Sequence, residues 1–160
     1  MLWISAYNRY TNGIMAKAAR AIIIQNDKIL LMHRNKEGSQ YYTLVGGRVN
    51  ESETLEQGLI REIKEETGLS LTSSRLVYTE DHAAPYNEQY IYLCEANQHG
   101  DVALQDTSEE AFMNKLNVNI HHPQWVDTRS FATIAFRTPQ LQQAIVLALK
   151  KGFPKDSVRL

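Results

Sequence analysis

Residues 46–69 read GGRVNESETLEQGLIREIKEETGL, and this stretch constrains the fold more than any other. Thr54 suits an N-cap and Gln57 stands three residues on, the spacing of a capping box. Leu55, Leu59, Ile60 and Ile63 recur at helical spacing, and Gly68 stands where a glycine stops a helix. At roughly 100° per residue, Glu62 and Glu66 fall within about 40° of each other, with Glu65 on the adjoining flank. Leu59 and Ile63 occupy the next sector, while Arg61 and Lys64 point away. The carboxylates therefore border the buried stripe. Like charges four residues apart cost a helix a few tenths of a kcal/mol. Either the run is a solvated face relieved by lysine and arginine, or it holds a hard cation.

Around that helix the chain alternates strands and turns. ARAIIIQNDKILLMHR (19–34) reads as two strands about a turn at Asn26-Asp27, with the apolar runs of strands buried on both faces. YYTLV leads into Gly46-Gly47. Further strands are expected at 75–80, at 89–96 and briefly near 101–104, and PQWVDTRSF holds another short strand and a turn. A second helix runs through LQQAIVLALKK, with Thr138 as cap, Pro139 at its first position and Gly152 and Pro154 at its end. The expected class is α/β (α+β): a sandwich with helices packed on both faces of a mixed sheet.

A chain of 160 residues suits one domain with a sizeable core. We expect an N-terminal extension or arm over 1–15 and a single domain over 16–160. Met15 is also readable as the translational start. The opening MLWISAYNRYTNG lacks the basic region and apolar run of a leader. No apolar run reaches the ~20 residues of a membrane span. Net charge is −1 with scattered basic residues, which argues against a nucleic-acid-binding face. Cys94 is the single cysteine and fits a reducing cytoplasm. A homodimer stays open.

The spacing decides between the two readings of the acidic run. From Gly47, five residues precede Glu53, and seven more precede Arg61-Glu62-Ile63-Lys64-Glu65-Glu66-Thr67-Gly68-Leu69. This resembles the Nudix box, Gly-x5-Glu-x7-Arg-Glu-apolar-x-Glu-Glu-x-Gly-apolar, at every required position. A chance match at one starting point is on the order of one in a billion at average residue usage. The order of elements over roughly 17–152 is similar to that of MutT-like Nudix domains. Val45, Asn50 and Ser52 depart from residues frequent in the family, none at a required position.

The resemblance implies a pyrophosphohydrolase acting on a nucleoside diphosphate linked to another moiety. NTPs, ADP-ribose, dinucleotide polyphosphates and nucleotide sugars all fit that description. Mg²⁺, or Mn²⁺, is the implied cofactor, since hard cations neutralise phosphate charge and activate water. The alternative is a non-catalytic Nudix-fold nucleotide-binding or sensor module, in which loss of box carboxylates would be expected.

The expected metal ligands are Glu62, Glu65, Glu66 and the Gly46 carbonyl. Arg61 orients a glutamate, and Glu53 holds the loop to the helix. The general base is Glu62 or one of Glu109 and Glu110, which also read as a solvated loop or the first turn of a short helix. Tyr41, Tyr42, Tyr86, Tyr90 and Trp125 are able to stack a base, though each is more often a core or strand residue. His121-His122 has no ligand partner at metal spacing, and His33 reads as structural.

Overall fold

The computed structural model describes residues 16–82, 86–97 and 100–160. The arm expected over 1–15 and the Tyr86 side chain lie outside the described residues. In chain order the elements are β1 (Ala16–Gln25), β2 (Lys28–Lys36), β3 (Ser39–Arg48), α1 (Leu55–Thr67), β4 (Leu71–Asp81), β5 (Tyr86–Ala96), α2 (Glu109–Lys115), β6 (Asn119–Asp127), α3 (Pro139–Lys151) and β7 (Val158–Arg159). No helix among the described residues is long and apolar enough to cross a membrane.

The strands form one mixed sheet in the order β6-β2-β3-β1-β5-β4-β7. β1 pairs parallel with β5 and β4 parallel with β7, while the remaining neighbours are antiparallel. Asn26 and Asp27, at φ 49° and 59°, make the tight β1–β2 turn, a left-handed conformation these two residue types tolerate.

Each face of the sheet carries a core. On one face Ala19, Ala21, Ile23, Leu30, Met32 and Val45 pack against Leu59 and Ile63 of α1. On the other, Ile22, Ile29, Leu31 and Leu44 pack against Leu141 and Ile145 of α3. Neighbours in sequence thus serve opposite cores, which is why β1 and β2 read as unbroken apolar runs. Each fully buried Leu or Ile contributes roughly 1.5–3 kcal/mol.

α1 is capped as its sequence dictates: the Thr54 hydroxyl accepts from Gln57 N at 3.1 Å, and the Gln57 side chain accepts from Thr54 N at 2.9 Å. Gly68 ends it at φ 79°. Thr138 occupies the N-cap of α3, yet its side chain makes no capping bond.

Residues 101–104 form no strand. Their backbone is drawn instead to the end of α1, where Ala103 N donates to Thr67 O and Gln105 N to Glu65 O. β6 is longer than the short strand expected, and β7 was not signalled by its two residues.

Gly46 takes φ 119° in the register position opposite Arg20, where an added Cβ would stand 2.8 Å from the Arg20 Cα. Gly46→Ala is therefore expected to lose about 3 kcal/mol or more through combined strain and overlap. Gly38, at φ 85° with nothing within 4 Å, is the control; its Ala variant should lose only about 1 kcal/mol. Urea denaturation midpoints compare the two.

A candidate metal centre

α1 lies across β3 with its acidic edge facing the double glycine. Glu62 and Glu66 are buried, and Glu110 of α2 reaches them from the other side. One carboxylate oxygen from each of the three lies within 4.8 Å of the others. Gly47 makes room, since a Cβ there would stand 2.6 Å from a Glu62 oxygen. Glu66 accepts the Gly46 N–H at 2.6 Å.

Arg61 does not point away from the carboxylates as helical spacing implied. It folds back and donates to Glu53 at 2.6 and 3.1 Å, Glu62 at 2.7 Å, Glu65 at 3.3 Å and the Arg48 carbonyl at 2.9 Å. Glu53 also accepts from Asn50 N, so the β3–α1 loop is tied to the helix through one guanidinium. Arg61 holds the Glu53 carboxyl down to about 2.

The triad has the opposite electrostatics. Burial, working against the Arg61 bond, pushes Glu62 up to about 7. Burial and the neighbouring Glu110 push Glu66 well above the carboxylate range. Glu110 is raised too, mainly by burial. Three oxygens this close repel one another when ionised, and such a donor set suits a hard divalent cation.

Glu65 stands outside the triad with its side chain 36% exposed, and turns to Arg61. Glu109 is exposed, so α2 selects Glu110 from the expected pair. The Gly46 carbonyl accepts from Arg20 Nη1.

Arg20 and the groups behind it escaped sequence reasoning. Its Nε donates to Gln89, and Gln89 donates to Glu80 at 2.6 Å, both nearly fully buried. The one available signal was an arginine inside an apolar strand run. Asn114 was also missed: its amide exchanges bonds of 2.7 and 2.8 Å with the His121 backbone, fastening α2 to β6. None of the α2 helix residues is buried, so polar bonds anchor the element that carries Glu110.

The aromatic candidates separate. Tyr42 and Trp125 pack on the two cores, and Trp125 donates to Gly100 O. Tyr90 bonds Glu88. Tyr41 lies between Arg34 and Arg137, whose guanidinium carbons stand 5.7 and 5.5 Å from its ring centroid. The His33 ring packs at a tilt of 51° against Tyr42, and burial pushes His121 down to about 4. A concavity of about 410 Å³ lies at the far end of the sheet, lined by Asn35, Val118 and Ile120 among others. Asn35 and Ile120 face away from the Arg34 side of their strands, so this space is not part of the triad.

The NUDIX domain model matches residues 15–140. The NAD-capped RNA hydrolase NudC of Vibrio atlanticus is 30% identical over 115 residues, covering 71% of this chain and 38% of the relative. Among solved structures, the E. coli ORF135 protein superposes with a TM-score of 0.63 at 22% identity, covering 89% of this chain and 95% of that one. An ADP-ribose pyrophosphatase from Streptococcus suis gives 0.59 at 21% identity, covering 91% and 98%. At these identities the two structures establish likeness of fold.

A folded-state pKa raised above the unfolded value gives stability that is present below about 4.5 and lost as pH rises through the folded value. For Glu62 the loss spans about 4.5 to 7. Glu62→Gln should therefore make the metal-free protein more stable at pH 8, by up to about 3 kcal/mol, with the gain vanishing near pH 4.5. Denaturation midpoints across that range, in EDTA, test the sign.

Proposed function

The chain belongs to the NUDIX domain family, and from that premise we propose that it is a Mg²⁺-dependent pyrophosphohydrolase of a nucleoside diphosphate linked to another group. The observation that carries this reading is the carboxylate triad of buried Glu62 and Glu66 and half-buried Glu110. Its like charges, placed around the space left by Gly47, call for a divalent cation. A sensor would have no need of such a costly arrangement intact.

In this reading Glu62, Glu66 and Glu110 hold Mg²⁺, with Mn²⁺ as a substitute. Glu65 completes the ligand shell or serves a second ion, and the Gly46 carbonyl joins when Arg20 yields it. Bound metal supplies charge neutralisation at the phosphates and a water of lowered pKa. Arg61 is a positioning residue that sets the Glu62 oxygen and, through Glu53, the loop before it. The candidate base is Glu62 or Glu110, each offering a carboxylate at the site.

The linked group is open among NTPs, ADP-ribose, dinucleotides and nucleotide sugars. The match spans 38% of the NudC relative's length, and the substrate in that protein's name, a NAD-capped RNA, enters as one more case. We further propose a single domain from residue 16 onward and a cytoplasmic setting, consistent with one buried, unpaired cysteine.

The test is a hydrolysis panel over those substrates and a NAD-capped oligonucleotide in Mg²⁺, with products separated by chromatography. EDTA and Glu66→Gln should each reduce turnover by at least 100-fold, with the variant keeping its fold by circular dichroism. Nucleotide binding without cleavage of any substrate would favour the sensor.

A further inference from the structure

Among the described residues, three buried side-chain atoms lack a hydrogen-bond partner: Arg34 Nε, Thr43 Oγ1 and Asn119 Oδ1, all on the face of the sheet that α1 covers. The buried polar groups of the α3 face are joined instead. Arg20, Gln89 and Glu80 each stand two residues from a member of that core, Ile22, Ile91 and Tyr78, so strand alternation sets all three on the α3 side. Glu80 and Gln89 are buried directly opposite each other on β4 and β5. Arg20 lies on the next strand, β1, and is itself paired with Gly46 of β3. One line of bonds crosses these four strands. Gln89 Nε2 donates to Glu80 at 2.6 Å, and Arg20 Nε donates to Gln89 Oε1 at 3.2 Å. Arg20 Nη1 then donates to the Gly46 carbonyl and, at 3.4 Å, to that of Leu44. At the other end the Thr138 hydroxyl bonds Glu80, so it is not turned to the α3 backbone as a cap.

Stability alone accounts poorly for such a chain. Buried charged groups cost desolvation, and apolar side chains of similar volume often stabilise a fold as well or better. The end at Gly46 supplies a reason. Two consecutive glycines leave the backbone beside the triad permissive. Yet the triad needs that backbone placed: Glu66 accepts the Gly46 N–H, and Gly47 lies so close to Glu62 that a Cβ would stand 2.6 Å from its oxygen. Those carboxylates are the groups a cation would draw on, so they make a poor fixed support. Arg20 is free of that demand, because it reaches the glycines from the opposite face. Its direction is set in turn by Gln89, whose amide oxygen accepts and whose NH₂ donates. Such an amide fits between an arginine and a carboxylate in one orientation only.

We propose that Arg20 is a positioning residue for the metal centre: held by Gln89 and Glu80, it fixes the Gly46–Gly47 backbone from the α3 face and so pre-organises the place where the triad takes its cation. This rests on the reading of Glu62, Glu66 and Glu110 as a metal-binding centre. Backbone order supplied by the folded protein is not left to be supplied at binding. The same chain registers the start of α3 to the double glycine.

The experiment is calorimetric titration of the full chain with Mn²⁺ alone, at one pH near neutrality. Gln89→Met removes both bonds of the central link at similar volume. Arg20→Lys keeps the charge but cannot hold Gln89 and the carbonyl as a fork. Val77→Ala, fully buried in the α3-side core and outside the chain, controls for lost stability. Gln89→Met and Arg20→Lys should each bind Mn²⁺ about tenfold more weakly, and the double variant should lie within about threefold of the weaker single. Val77→Ala should lower the urea midpoint and hold Mn²⁺ affinity within about threefold. Wild-type affinity in either single chain variant overturns the proposal, and in Arg20→Lys alone it would show that charge suffices. Multiplying losses in the double variant, or an equal loss in Val77→Ala, overturn it too. An intact protein that binds no Mn²⁺ overturns the metal-centre reading and this inference with it, whereas intact binding matched by the chain variants overturns the inference alone.

Discussion

All five N–H groups of Arg61 are used: three reach Glu53 and the Arg48 carbonyl, and two reach Glu62 and Glu65. Much of the site's local geometry depends on that one planar fork. It draws the loop after β3 onto the first turns of α1, which brings Gly47 against Glu62. It also fixes one oxygen of Glu62, leaving the other beside Gly47 and the triad. A lysine could not substitute, since a point charge with three donors cannot hold five acceptor oxygens from four residues. Of the triad, Arg61 reaches Glu62 alone.

The sheet makes a second, independent contribution. Arg20 projects toward the Gly46 carbonyl from β1 and is held by Gln89, itself bonded to Glu80 near the start of α3. This chain runs on the α3 side of the sheet, while the triad lies on the α1 side. The double glycine is thus gripped from both faces: Glu66 holds the Gly46 N–H and Arg20 holds its carbonyl. Positive charge at Arg20 also moderates the proton affinity of Glu66 and Glu110. Buried polar groups that satisfy one another specify a single arrangement more sharply than apolar packing does.

Sequence made the fold legible wherever local signals and burial agreed. The capping box, the Gly68 stop and the Asn26-Asp27 turn are dictated within a few residues, and the structure has each of them. The apolar runs of β1 and β2 announced a sheet covered on both sides. The site was half legible. Glu62 and Glu66 are four residues apart on one helix, so periodicity alone brings them together. Glu110 comes from 44 residues further on, and its arrival depends on Asn114 gripping the β6 backbone. That clamp has no sequence signature. Arg61 was misplaced for a related reason: helical angle gives where a Cα points, whereas a long side chain bends to its partners. Residues 101–104 carried strand-like alternation, but the carbonyls at the end of α1 competed for their N–H groups and won.

The carboxylate triad and the unpartnered polar atoms occupy different parts of the same face. The Glu62–Glu66 pair depends on one helix and a glycine turn, a compact unit whose spacing is written in 23 residues, and Glu110 joins it from α2. The unpartnered atoms at Arg34, Thr43 and Asn119 depend on the register of three strands, where a residue's neighbours are remote in sequence. The acidic helix can therefore persist while the strand face beside it is rewritten residue by residue, since substitutions at those positions need not disturb the Arg61 fork. The two kinds of cost are also separable. Charge repulsion in the triad is relieved by a cation, whereas a buried donor or acceptor without a partner costs its own desolvation.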